Sequence, residues 1–97
     1  MKGWAYILEC NDGSFYIGST NNVERRIWEH ENGKGGEYTS KRLPVRLLKT
    51  FEFDSVQEAF AFEHKIKKWS RKKKEALIQE DFEGLHNLAK KNFKNKS

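Results

Sequence analysis

Two runs rich in β-branched and aromatic residues, Trp4 to Cys10 and Phe15 to Gly18, are separated by Asn11-Asp12-Gly13-Ser14. Turn-forming residues between two such runs specify a β-hairpin. The whole chain has 97 residues, so the hairpin belongs to one compact unit, with no spare length for a second core. Charged residues make up 34% of the sequence and apolar ones 36%, against the ~25% charge expected of a globular domain. Most of the chain is therefore surface, and the thirteen per cent of aromatic residues supplies the bulk for a small core.

After the hairpin, Thr20-Asn21-Asn22 offers helix caps, with Glu24 three residues after Asn21. Val23, Ile27 and His30 then recur at helical spacing, which predicts a first helix over residues 22–32. Gly33 to Arg42 holds three glycines and no periodicity, and is expected to be a mobile basic loop closed by Pro44. Arg46 to Phe53 alternates well enough to be a third strand. Ser55 and Glu58 form a capping-box pattern that opens a long helix running to Trp69. The basic run Arg71 to Lys74 either continues that helix or marks its end. Further apolar periodicity follows at Ala76 to Ile78, a short last helix is expected over Phe82 to Leu88, and the tail from Lys90 is expected to be disordered.

Several classes are excluded. The longest uninterrupted apolar stretches span only a few residues, far from the ~20 that cross a bilayer, and no apolar core follows Lys2 as in a signal peptide. A cytoplasmic protein with no membrane partner is expected. The single cysteine, Cys10, forms no internal disulfide and no structural zinc cluster. The net charge of +5 directs attention to polyanions.

Two residues stand out by position. On a helical wheel, Val56, Ala59, Phe60, Phe62, Ile66 and Trp69 share one broad arc, and Glu63 falls inside it. A carboxylate on the core side of a helix needs a cation, a metal or strong donors. It is either half of a buried ion pair or a residue at the helix edge that reaches solvent, or it is a metal ligand or catalytic carboxylate. Arg26 lies beside the Val23, Ile27 and His30 stripe whereas Arg25 projects away, and Arg26 and His30 stack one turn apart. A guanidinium and an imidazole there suit a phosphate; alternatively, Arg26 pairs with Glu24 or Glu29 and His30 is a partly buried spacer.

Taken together, these motifs resemble the GIY-YIG endonucleases, and in particular the small single-domain bacterial members of that superfamily. The second signature triplet is intact as Tyr16-Ile17-Gly18, and the first aligns with Trp4-Ala5-Tyr6, which keeps the tyrosine and lacks the glycine. Ten residues separate Tyr6 from Tyr16 and ten more separate Tyr16 from Arg26. His30 follows one turn later, and Glu63 matches the family's metal-binding glutamate. A lysine that some relatives carry just after the second triplet is absent, since Ser19 and Thr20 follow Gly18; the family's late asparagine has only Asn87 as a positional counterpart.

The resemblance implies an α+β fold, with a three-stranded antiparallel sheet flanked by helices, a nuclease-like domain over residues 1–82, and a short helix and basic tail over 83–97. It implies DNA phosphodiester hydrolysis with catalytic residues Tyr6, Tyr16, Arg26, His30 and Glu63, the last holding Mg²⁺ or Mn²⁺, and no organic cofactor. Lys34, Lys41, Arg42, Lys67, Lys68 and Arg71 are the expected contacts to the DNA backbone. With no appended recognition domain, selection by nucleic-acid structure, branched or single-stranded, is expected over selection by sequence. The alternative is a nucleic-acid-binding module of the same fold with little or no catalysis.

The shared site sets one condition on the hairpin. A two-residue loop, Asp12-Gly13, would place Tyr6 and Tyr16 on opposite faces of the sheet, whereas a three-residue loop, Asn11-Asp12-Gly13, with Gly13 left-handed, places both on one face. The longer loop is predicted.

Overall fold

The computed structural model describes residues 1–79. The expected helix over Phe82 to Leu88, Asn87 and the tail lie outside the described residues. Strands β1 (Gly3–Glu9) and β2 (Phe15–Thr20) form the hairpin, and β3 (Arg46–Phe53) pairs antiparallel with the other side of β1, giving the order β2-β1-β3. The predicted loop is found. Tyr6 pairs with Gly18 and Leu8 with Tyr16, the Cys10 N–H donates to the Ser14 carbonyl at 2.8 Å, and Gly13 sits at φ +85°, where a residue with a Cβ is strained. Asp12 Oδ1 fastens the turn by accepting from the Ser14 amide at 3.0 Å and its hydroxyl at 2.6 Å.

Pairing of β1 with β3 runs from Gly3 opposite Phe53 to Ile7 opposite Lys49, and then slips so that Leu8 faces Leu47. Leu48 is the extra residue of a bulge, which is why the alternation of β3 falters there. Side chains of β1 alternate between two buried faces. Tyr6, Leu8 and Cys10 cluster with Val45, Tyr16, Leu43 and Ile27, Ile27 belonging to helix α1 (Val23–Glu31). Ala5 and Ile7 point the other way, towards helix α3 (Val56–Lys67), whose Phe62 ring lies 5.1 Å from that of Phe51 and 5.2 Å from that of Phe53.

Helix α1 is capped by Asn22, whose side chain accepts from the Arg25 amide at 3.0 Å. Helix α3 starts where Ser55 Oγ accepts from the Glu58 amide at 3.1 Å. It ends at Lys67, two residues short of Trp69. Phe60 is 53% exposed, its ring against His64 one turn on, so the apolar arc is narrower than the wheel drew it. The segment Gly33 to Arg42 is also a correction. It is an anchored wall with one helical turn, α2 (Glu37–Ser40), containing the fully buried Thr39. Arg42 ties it to the hairpin loop through Asp12 at 3.0 Å, and Tyr38 does so through the Ser14 hydroxyl at 2.8 Å.

Met1–Lys67 forms one compact unit and a second begins at Lys68. In the second, Ser70 starts a separate helix, α4 (Arg71–Ile78), by accepting from the Lys73 amide at 3.2 Å, and the Lys73 ammonium lies over the Trp69 ring. The basic run therefore begins a new helix. Among the described residues no helix is long and apolar enough to cross a membrane.

Candidate active site

The register sets the geometry. Tyr6 and Tyr16 share a face of the sheet, their ring centroids 6.4 Å apart. His30 reaches them from α1, its ring 5.6 Å from that of Tyr6 and 5.1 Å from that of Tyr16. The Tyr6 hydroxyl lies 2.8 Å from His30 Nε2 and accepts from Arg26 Nε at 3.3 Å. It rests on the backbone of β2: a Cβ on Gly18 would stand 2.4 Å from the Tyr6 oxygen. The glycine of the second triplet is thus the place where the tyrosine of the first one lies.

Arg26 is fixed from three sides, by Tyr6, by Glu29 at 2.8 Å and by the Gly35 carbonyl at 3.2 Å. Each contact uses a different nitrogen, so of its five N–H groups one on each terminal nitrogen has no use in these bonds. Burial pulls the guanidinium pKa down, but the bonds to Glu29 and Tyr6 outweigh burial and raise it, so Arg26 stays a cation. The pairing with Glu29 is the alternative that the sequence left open for Arg26, and it coexists with the contact to Tyr6.

His30 is not at the margin of the helix face but fully buried. Both ring nitrogens are engaged, Nε2 by Tyr6 and Nδ1 by Thr39 Oγ1 at 2.8 Å, so the ring offers no free nitrogen to a phosphate. Burial first and the Arg26 charge second lower its pKa to about 4, and it is neutral at neutral pH. Burial likewise pushes the Tyr6 phenol up to about 12, against the lowering effect of Arg26. Tyr16 is half-buried, stacked on Tyr38 at 6.0 Å, and among the described residues its hydroxyl has no hydrogen-bond partner.

Glu63 is 7% exposed and does not stand on the tyrosine face. Ser19, one residue beyond Gly18 and so on the opposite side of β2, donates its hydroxyl to Glu63 Oε1 at 2.6 Å. The other oxygen takes the Lys67 ammonium at 2.8 Å. The carboxylate is still close enough to Tyr6 for its charge to raise the phenol pKa. Gly18 and Ser19 thus bring the phenol and the carboxylate to the two sides of one edge strand.

The expected DNA contacts have separate partners. Lys67 is at Glu63, and Arg42 packs over the Tyr38 ring at 3.8 Å while bonding Asp12. Lys34 lies over Trp28, Lys41 pairs with Glu37 at 3.0 Å and Arg71 with Glu75 at 3.0 Å; Lys68 is exposed. Exposed pairs of this kind contribute little and exchange readily. Thr39, Tyr38 and Gly35 were missed as site residues, because they lie in the stretch without periodicity, and Ser19 registered only where a lysine was absent.

Residues 2–76 match the GIY-YIG catalytic domain. The chain is 50% identical over 78 residues to the UPF0213 protein BH0048 of Halalkalibacterium halodurans, covering 80% of this chain and 83% of that protein. It is 47% identical to the UPF0213 protein NP_0776A of Natronomonas pharaonis, covering 80% of this chain and 92% of that one. The solution NMR structure of the E. faecalis protein EF2693 superposes with a TM-score of 0.57 at 40% identity, over 84% of this chain and 88% of that one. That of BH0048 gives a TM-score of 0.54 at 49% identity, over 81% and 84%. With the two tyrosines, the arginine and the histidine gathered on one side of the edge strand, the α+β architecture and the match over most of its length agree: the chain belongs to the GIY-YIG family of nuclease domains, among the small UPF0213 proteins.

Proposed function

We propose that the protein is a divalent-metal-dependent endonuclease that hydrolyses DNA phosphodiester bonds and selects its substrate by structure. The observation that carries this reading is the convergence on β2 of a fixed arginine and two tyrosines from one side and a buried carboxylate from the other. Glu63 is the residue that would hold the metal. Its donor set fits a hard cation that keeps most of its waters, because one carboxylate suffices for such an ion; among the described residues no three His, Cys, Asp or Glu side chains converge to form a closed cage. When bound, the ion supplies Lewis-acid stabilisation of the phosphate and the leaving oxygen.

The protein's own groups divide the remaining work. Arg26 offers a phosphate its charge and the two N–H groups left by its structural bonds, on a guanidinium already held in position. Tyr6 keeps its proton near neutral pH and is buried, so Tyr16 is the tyrosine that meets and orients the attacking water. His30 anchors Tyr6. Arg42 and Lys67 stand beside the site to meet the DNA backbone, with Lys34, Lys41, Lys68 and Arg71 as further basic contacts.

The Lys67–Glu63 ion pair favours a second reading. Lys67 already occupies Oε2, so Glu63 would hold a metal there only with the ammonium turned away; with the ion pair kept, the protein binds nucleic acid without cutting. One experiment decides: labelled branched, single-stranded and duplex DNA with Mg²⁺ or Mn²⁺, for wild type, Glu63→Ala and Arg26→Ala. Cutting of the branched or single-stranded DNA by wild type, lost in both variants, supports the nuclease. Equal weak cutting by all three is contamination and sinks it, and tight binding without cutting favours the module.

A further inference from the structure

Thr39 is fully buried, and its hydroxyl lies 2.8 Å from His30 Nδ1 while the Tyr6 hydroxyl lies 2.8 Å from Nε2. Among the described residues the Thr39 hydroxyl has no other hydrogen-bond partner. A neutral imidazole has one N–H and one lone pair, so the ring must donate to one of these hydroxyls and accept from the other. Which way round it stands decides whether Nε2 can hold the Tyr6 proton.

Two considerations settle the direction. A phenol, with a reference pKa near ~10, is a much stronger acid than an aliphatic alcohol, and gives the better hydrogen bond to the one lone pair. The Tyr6 oxygen also accepts from Arg26 Nε already. A ring N–H aimed at it would set three hydrogens round one buried oxygen, and leave the phenol proton, confined near the ring plane, with no acceptor. The threonine hydroxyl proton turns freely about its C–O bond and adapts. The ring is also confined from the side, since a Cβ on Gly35 would stand 2.2 Å from Nδ1.

We propose that Thr39 is a positioning residue: its oxygen accepts the Nδ1–H of His30, fixes that tautomer, and leaves the Nε2 lone pair to hold the Tyr6 proton. The three groups form a buried line, Thr39 to His30 to Tyr6, that ends at the phenol beside Arg26. Its catalytic meaning rests on the endonuclease reading, but the tautomer does not.

The test reads the tautomer first. Two-bond ¹H–¹⁵N spectra of the labelled full chain are recorded near neutral pH without metal or DNA, and the ring that His30→Gln removes is assigned. A protonated-type signal at Nδ1 and an unprotonated-type signal at Nε2 are expected in wild type and in Thr39→Ser. In Thr39→Val the pattern reverses or averages, and cleavage falls about 10-fold or more, a part of the ~10² that a small misplacement of Tyr6 and Arg26 beside the reacting phosphate costs, with recovery in Thr39→Ser. An Nε2-protonated ring in wild type overturns the proposal without recourse to any threonine variant. So does an unchanged ring in Thr39→Val, or normal cleavage despite a reversed one. The expected tautomer in a wild type that cuts no DNA supports the role of Thr39 in the fold of the site and refutes the endonuclease reading alone.

Discussion

The two sides of strand β2 hold their polar groups in different ways. On the tyrosine side, Tyr6, His30, Thr39 and Arg26 hold one another through bonds of 2.8–3.3 Å, and the only charge among them is the guanidinium. On the α3 side a buried carboxylate is held by one hydroxyl and one lysine, and that lysine side chain is 47% exposed. Buried networks whose members are all hydrogen-bonded rigidify, because every unpaired member is costly; an ion pair with one partner half-exposed exchanges more easily. The tyrosine side is thus built to stay in place, and the carboxylate side to trade one cation for another.

The largest expected effects separate the two tyrosines. Tyr16→Phe removes a hydroxyl with no hydrogen-bond partner among the described residues, so cleavage should fall by about 10²–10⁴ with little change in melting temperature. Tyr6→Phe strands His30 Nε2 and Arg26 Nε, and should lower stability by about 1–3 kcal/mol. Similar melting losses in both variants would erase the distinction. Next comes pH. The unfolded chain protonates His30 near 6.5, whereas the fold resists until about 4. Stability is therefore fully present above 6.5 and declines as pH falls towards 4, by at most about 3 kcal/mol. Urea midpoints across this range should show a slope that His30→Gln flattens; an unchanged slope would place the titration elsewhere.

Smaller effects probe each side singly. Gly18→Ala and Gly35→Ala put a Cβ within 2.4 Å of the Tyr6 oxygen and 2.2 Å of His30 Nδ1, and should each cost about 1–3 kcal/mol as overpacking, measured by denaturant unfolding. A neutral result at either position would mean that the tyrosine side yields. Lys67→Met, by contrast, removes a competitor for Glu63 and should tighten Mn²⁺ binding about 5-fold, the value of a partly exposed ion pair of ~1 kcal/mol, read by calorimetric titration. Weaker binding would show that Lys67 assists the cation.

What the sequence made legible follows from range of interaction. The three-residue hairpin loop is predicted by the condition that the two tyrosines share a face, and the register follows from it; Arg26 and the burial of Glu63 come from helical spacing, which is local. The sheet face that α3 covers is a global property of the chain path, so the approach of Glu63 to Ser19, from the other side of β2 than the tyrosines, is not legible in helical spacing. The Gly33 to Arg42 segment has no period to read; its order comes from Thr39 on His30, Tyr38 on Tyr16 and Arg42 on Asp12. Each of these contacts joins residues nine or more positions apart. Phe60 shows the opposite error, an apolar residue assigned to the core by pattern that the narrow contact of α3 leaves outside.

The central claim is that a cation at Glu63 and the arginine and tyrosines across the strand act on one phosphate. The most direct measurement is single-turnover cleavage of a labelled branched DNA with Mn²⁺ by wild type and Glu63→Gln, purified alike and matched in melting temperature. The amide keeps the shape and the Ser19 contact and removes the charge, so cleavage should fall by at least ~10², with no recovery at higher Mn²⁺. Equal cleavage by the two proteins would contradict the account.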